Sequence, residues 1–160
     1  MVIKRLLFYW TASFVVASLL YFVLRAVMPN NYVFGFLPRM FLYHWEHPLE
    51  FIAIPCFFYG IIATYFANKF SRQNIVKNVF LTVVIILLTI LVSSPLGGML
   101  WYYYDMKAGF FPENWLERII KSGFSQGLVF GWLIVSLSIP YNILGTVLCY
   151  FITKKGSEWA

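Results

Sequence analysis

"FIAIPCFFYGIIATYFANK", residues 51–69, sets a proline inside an apolar run that closes on a lysine. The run from Phe51 to Ala67 has the length and composition of a membrane-crossing helix, and Lys69 suits the headgroup level at its end. Pro55 removes one helical donor and crowds the turn before it, which frees the Phe51 carbonyl. In a bilayer that carbonyl needs a partner inside the protein or in a wet cavity. The stretch therefore reads as a kinked membrane helix.

Three further runs have the same character. Leu6 to Met28 follows Lys4 and Arg5, a third run covers about Ile75 to Leu100, and a fourth covers about Gly127 to Thr153, closed by Lys154 and Lys155. The first resembles a signal peptide, but it exceeds a usual apolar region and lacks a small-x-small cleavage site, so it reads as a retained anchor. Of the 160 residues 61% are hydrophobic and 11% charged, with a mean hydropathy of +0.77. A soluble domain carries about 25% charged residues. A chain of this length cannot bury so much apolar surface in its own core, so lipid is the solvent. The expectation is an all-α integral membrane protein, one domain over residues 1–160, with four transmembrane helices.

The net charge of +6 is not a nucleic-acid signature, because the charges sit in short clusters between apolar runs. They set orientation instead. Four crossings place Lys4, Arg5, Lys69, Arg72, Lys77, Lys154 and Lys155 on one side, opposed only by Glu158. The other side balances Arg25, Arg39, Lys107, Arg118 and Lys121 against Glu46, Glu50, Asp105, Glu113 and Glu117. Both termini are therefore expected to be cytoplasmic, in a bacterial plasma membrane.

The stretch "IPYNILG", residues 139–145, echoes the opening one. Ile54-Pro55 aligns with Ile139-Pro140, Gly60 with Gly145, Tyr65-Phe66 with Tyr150-Phe151, and Lys69 with Lys154. "GFLP" at 35–38 likewise meets "GFFP" at 109–112. These matches predict two parallel-repeat hairpins, about 1–70 and about 75–155, each containing an interfacial outer loop. Each proline stands about 21 Å of helix from its closing lysine, at matched depth. Pro55 and Pro140 mark kinks, or the edges of a small neutral pocket that Asn142 would line.

The outer loops, roughly 29–50 and 101–122, are rich in Tyr and Trp, as a headgroup belt is. "PENWLERIIK", 112–121, reads as a short interfacial helix with Glu117 one turn before Lys121. "YHWEHPLE", 43–50, holds both histidines, and His44, Glu46 and His47, with Asp105 from the other loop, are the candidate acid–base residues. Pro48 interrupts helical continuity there and suits a helix start, with Glu50 in the first turn. "SSPLGG", 93–98, lacks the G-x-S-x-G turn of a serine nucleophile and reads as the end of a span.

Gly123, Gly127 and Gly131 repeat at helical spacing, with Gly145 further on, which makes a packing stripe for an internal or a partner helix. Cys56 and Cys149 read as small buried hydrophobes, and no zinc spacing occurs, so neither metal nor cofactor is expected. No ionisable group lies mid-span, which disfavours ion-coupled transport. The expected function is that of an accessory or regulatory protein binding another membrane protein or its own copies within the lipid bilayer. The alternatives are a membrane-interface enzyme acting on lipid or lipoprotein through His44, Glu46 and His47, and a small transporter component.

Overall fold

The computed structural model describes residues 2–27, 46–70, 74–110, 114–137 and 139–158. Every regular element among them is helical. Helix α1 is Val2–Val27, α2 is Pro48–Phe66, and α3 is Ile75–Lys107. They are followed by α4 (Trp115–Glu117), a π-helical stretch (Arg118–Gly123), α5 (Phe124–Leu137) and α6 (Tyr141–Ser157). Three of these elements are long and apolar enough to cross a membrane: α1, α2 with its 3-10 extension to Lys69, and α3.

Local chemistry sets the helix ends. Pro48 opens α2 at a position where its missing N–H costs nothing. The Asn74 side chain caps α3 by accepting from the Lys77 N–H at 2.9 Å. At the other end of α3, the Phe110 N–H reaches the Asp105 carbonyl and the Gly109 N–H that of Met106. This double closure needs a left-handed residue, and Gly109 supplies it at φ +83°. Helix α3 therefore runs through Trp101–Tyr104, which the sequence assigns to a loop, because nothing before Gly109 stops it. Its 33 residues measure about 50 Å, more than the ~30 Å apolar thickness of a bilayer.

Helix α1 packs along α2, α2 against α3, and α3 along α5, while α6 returns against α1 and α3. Two buried layers hold the bundle. One joins Tyr9, Tyr59, Ala63, Ala67 and Ile85; the other joins Tyr21, Ile52 and Cys56. Lysines mark both ends. Lys69 stands 4.9 Å over the Phe66 ring, and Lys107 stands 4.7 Å over the Tyr103 ring. Both pairs suit membrane–water interfaces, where a cation snorkels along an aromatic face.

Pro95 and Pro140 behave differently from the sequence expectation. Pro55 and Pro95 lie inside continuous helices, so "SSPLGG" ends no span. The fourth apolar run, in contrast, is not one helix. It stops at Leu137 and restarts at Tyr141, with Ile139 and Pro140 in a turn whose peptide bond is cis. Pro140 is thus the cap of α6 and not a mid-helix kink matching Pro55. The expected helix at 112–121 begins, among described residues, at Trp115, and turns π-helical at Arg118. Its pair is present: Lys121 Nζ lies 2.7 Å from Glu117 Oε1 and holds that carboxyl below its ordinary range. The first outer loop, including His44, lies outside the described residues apart from Glu46 onward.

Candidate functional site: an intramembrane cavity and its polar rim

Between α1, α2, α3 and the α5–α6 break lies a cavity of about 290 Å³. An apolar cavity of about 150 Å³ accepts benzene, so this one has room for a larger hydrocarbon. Pro55 lines it from α2, and Asn142 and Gly145 from α6, beside Ser13, Tyr21, Cys56, Tyr59, Thr89, Tyr141 and Cys149. Pro140 is the residue before this wall, at the N-cap of α6.

Asn142 shows how the break is tolerated. In a continuing helix the Val135 carbonyl would accept from residue 139, but α5 ends first and leaves it open. Asn142 Nδ2 donates to that oxygen at 2.9 Å, and Asn142 Oδ1 accepts from the Ile143 N–H at 2.7 Å. The most polar side chain of the run thus splints the two helices.

Several other polar side chains are similarly engaged. The Tyr59 hydroxyl lies 2.7 Å from Thr153 Oγ1 and 3.0 Å from the Cys149 carbonyl oxygen. Tyr9 donates to the Thr153 carbonyl at 3.3 Å, and Tyr141 to the Ala17 carbonyl at 3.3 Å. Together these bonds tie α6 to α1 and α2. Nearer the chain ends Arg5, only 5% exposed, donates to Asn68 Oδ1 at 2.8 Å. That cation is therefore part of the packing as well as of the terminal charge cluster. Cys56 and Cys149 are both unpaired thiols.

The glycine stripe has an internal partner. Gly123, Gly127 and Gly131 lie against Ser94, Pro95, Gly98 and Met99 of α3. A Cβ on Gly123 would come 2.8 Å from the Met99 Cα, and one on Gly127 2.9 Å from the Pro95 Cα. Gly145 has no such neighbour, because it faces the cavity.

At the Pro48 end of the cavity stands a polar rim that the sequence does not announce. The His47 ring stacks on Tyr104 at 4.1 Å with an interplanar angle of 11°, and His47 Nδ1 lies 3.8 Å from Glu50 Oε1. The Tyr104 hydroxyl donates to Glu50 Oε2 at 2.5 Å. Of the candidate acid–base residues, His47 joins this trio, Glu46 is exposed just before it, and Asp105 follows Tyr104 on α3. Among the described residues Glu50 and Tyr104 are the side chains against His47, and His44 lies outside those residues. Only helix packing brings them together, since Tyr104 sits in a tyrosine run that reads as belt. Among the described residues no group of three or more His, Cys, Asp and Glu could hold a metal ion. Comparison with protein-family models, with characterised proteins and with solved structures gives no match.

Proposed function

We propose that the protein works by binding within the membrane, as an accessory or regulatory partner of another membrane protein. In this reading α5 and α6 together form a fourth crossing, and both chain ends lie on the cytoplasmic side of a bacterial plasma membrane. The α1–α2 pair, and α3 with α5 and α6, would be two parallel-repeat hairpins. The supporting observation is the use of the buried and half-buried polar side chains: Tyr9, Tyr59, Tyr141, Asn142 and Thr153 bond to one another or to helix carbonyls. Groups engaged in this way hold a bundle together and are not held ready for a reacting molecule.

The glycine stripe is covered by α3, so docking uses other surfaces. The outward faces of α1, with Leu7, Leu19 and Phe22, and of α3, with Val79, Phe80 and Val83, are exposed. A second reading, a membrane-interface enzyme acting on lipid or lipoprotein, is favoured by the His47–Glu50–Tyr104 trio. The transporter reading gains little support, because the cavity offers a polar solute few free donors.

Affinity capture of the full chain in mild detergent, quantified against an unrelated membrane protein, tests the proposal. A stoichiometric membrane-protein partner is expected. Absence of one, together with a cellular phenotype lost in His47→Ala and Glu50→Gln at unchanged protein level, would put the enzyme reading in its place.

A further inference from the structure

At the Lys69 end of the bundle stands a cation that the fold uses only in part. Arg5 is 5% exposed, and its Nη1 donates to Asn68 Oδ1 at 2.8 Å. Its Nε and Nη2 are buried and meet no acceptor among the described residues. These two nitrogens share one edge of the guanidinium, and their N–H bonds run side by side. That edge is the fork that takes two oxygens of one anion. A charge held out of water without acceptors is strongly unfavourable, so the edge calls for an anion.

The surroundings favour an anion and supply none to spare. Glu158 is the acidic residue of this end, and Lys155 already holds it at 3.4 Å. Lys4, Lys69 and Lys154 add positive charge. Helical side chains lean toward the helix N-terminus, which puts the guanidinium over the first turn of α1, where N–H groups have no helical carbonyl to meet. A helix start of this kind favours phosphate. Asn68, the partner of Nη1, is exposed, so the fork lies just beneath the surface. It is bordered by a helix start and by the 3-10 turn Ala67–Lys69, elements that open locally more readily than a core does. We propose that the Nε–Nη2 edge of Arg5 binds a phosphate group. In the proposed orientation, anionic headgroups of the cytoplasmic leaflet are the nearest source. The inference goes beyond the accessory role and is tested without any protein partner.

The test follows thermal unfolding of the full chain in phosphate-free buffer and dodecylmaltoside, with phosphatidylglycerol, diacylglycerol or inorganic phosphate added. A phosphate ligand should raise the midpoint saturably, as binding to the folded state does, and diacylglycerol should not. Saturation by phosphatidylglycerol alone assigns the site to a headgroup, and saturation by inorganic phosphate at a similar concentration assigns it to a soluble phosphate. Arg5→Lys keeps the charge and loses the fork, so half-saturation should need about ten times more ligand, the loss of one charge-assisted hydrogen bond. Lys155→Gln removes a charge from the same end and should change it by no more than about twofold. One arginine Nε–H signal of the unaltered chain should shift with the same half-saturation. No rise with either phosphate, an equal rise with diacylglycerol, or half-saturation unmoved in a folded Arg5→Lys would overturn the proposal. So would the absence of a shifting Nε–H signal, even where Arg5→Lys does not fold.

Discussion

Tyr59 carries its hydroxyl from α2 to two atoms of α6, Thr153 Oγ1 and the Cys149 carbonyl oxygen, in a site that is 3% exposed. Tyr59→Phe keeps the ring and removes these bonds. It should lower stability by about 0.6–2 kcal/mol, the range for a polar contact between membrane helices. Unfolding of the purified chain in mixed micelles measures this, and Tyr65→Phe, at a position 71% exposed, should leave the midpoint unchanged. Asn142→Leu should cost about 1–3 kcal/mol, because it leaves the half-buried Val135 carbonyl without its donor. The two residues differ in legibility. Asn142 stands out as the most polar side chain of an apolar run, although its role as a splint depends on where α5 stops. A tyrosine among phenylalanines reads only as a ring, since its hydroxyl finds partners through a packing that spans much of the chain.

At the level of elements, small residues decide where two helix backbones meet. Gly127→Ala puts a methyl group against the Ser94 carbonyl and the Pro95 backbone, which cannot yield as a flexible side chain would. The α3–α5 pair should lose about 1–3 kcal/mol, seen as a lower unfolding midpoint and faster proteolysis. Gly97→Ala, only a few residues from that crossing, meets nothing within 4 Å and should be neutral or stabilising by up to about 1 kcal/mol. The apolar runs make α1, α2 and α3 legible, because length and hydropathy suffice. Proline outcomes are not legible in the same way. Pro55 and Pro95 remain within helices while Pro140 caps one, and the sequence marks a lost donor without saying whether neighbouring helices bridge the loss. The aromatic run at 101–104 is misread for a related reason: ring-rich sequence suits an interface whether it is loop or helix.

For the whole molecule, the accessory role requires the bundle to stand across a bilayer, with the start of α1, the end of α2 and the end of α6 on one side. The Arg5–Asn68 bond and the Tyr9–Thr153 contact gather those three segments at one end, whereas His47, Glu50 and Tyr104 gather at the other. In the proposed orientation, drawn from lysine and arginine placement, the first end is cytoplasmic. Labelling of intact cells by a membrane-impermeant maleimide tests this most directly, with Ser71→Cys or Ala108→Cys introduced into a Cys56→Ala, Cys149→Ala background. Ala108→Cys should react from outside, and Ser71→Cys only after the membrane is permeabilised. Reaction of Ser71→Cys in intact cells, or equal reaction at both positions, would contradict the account.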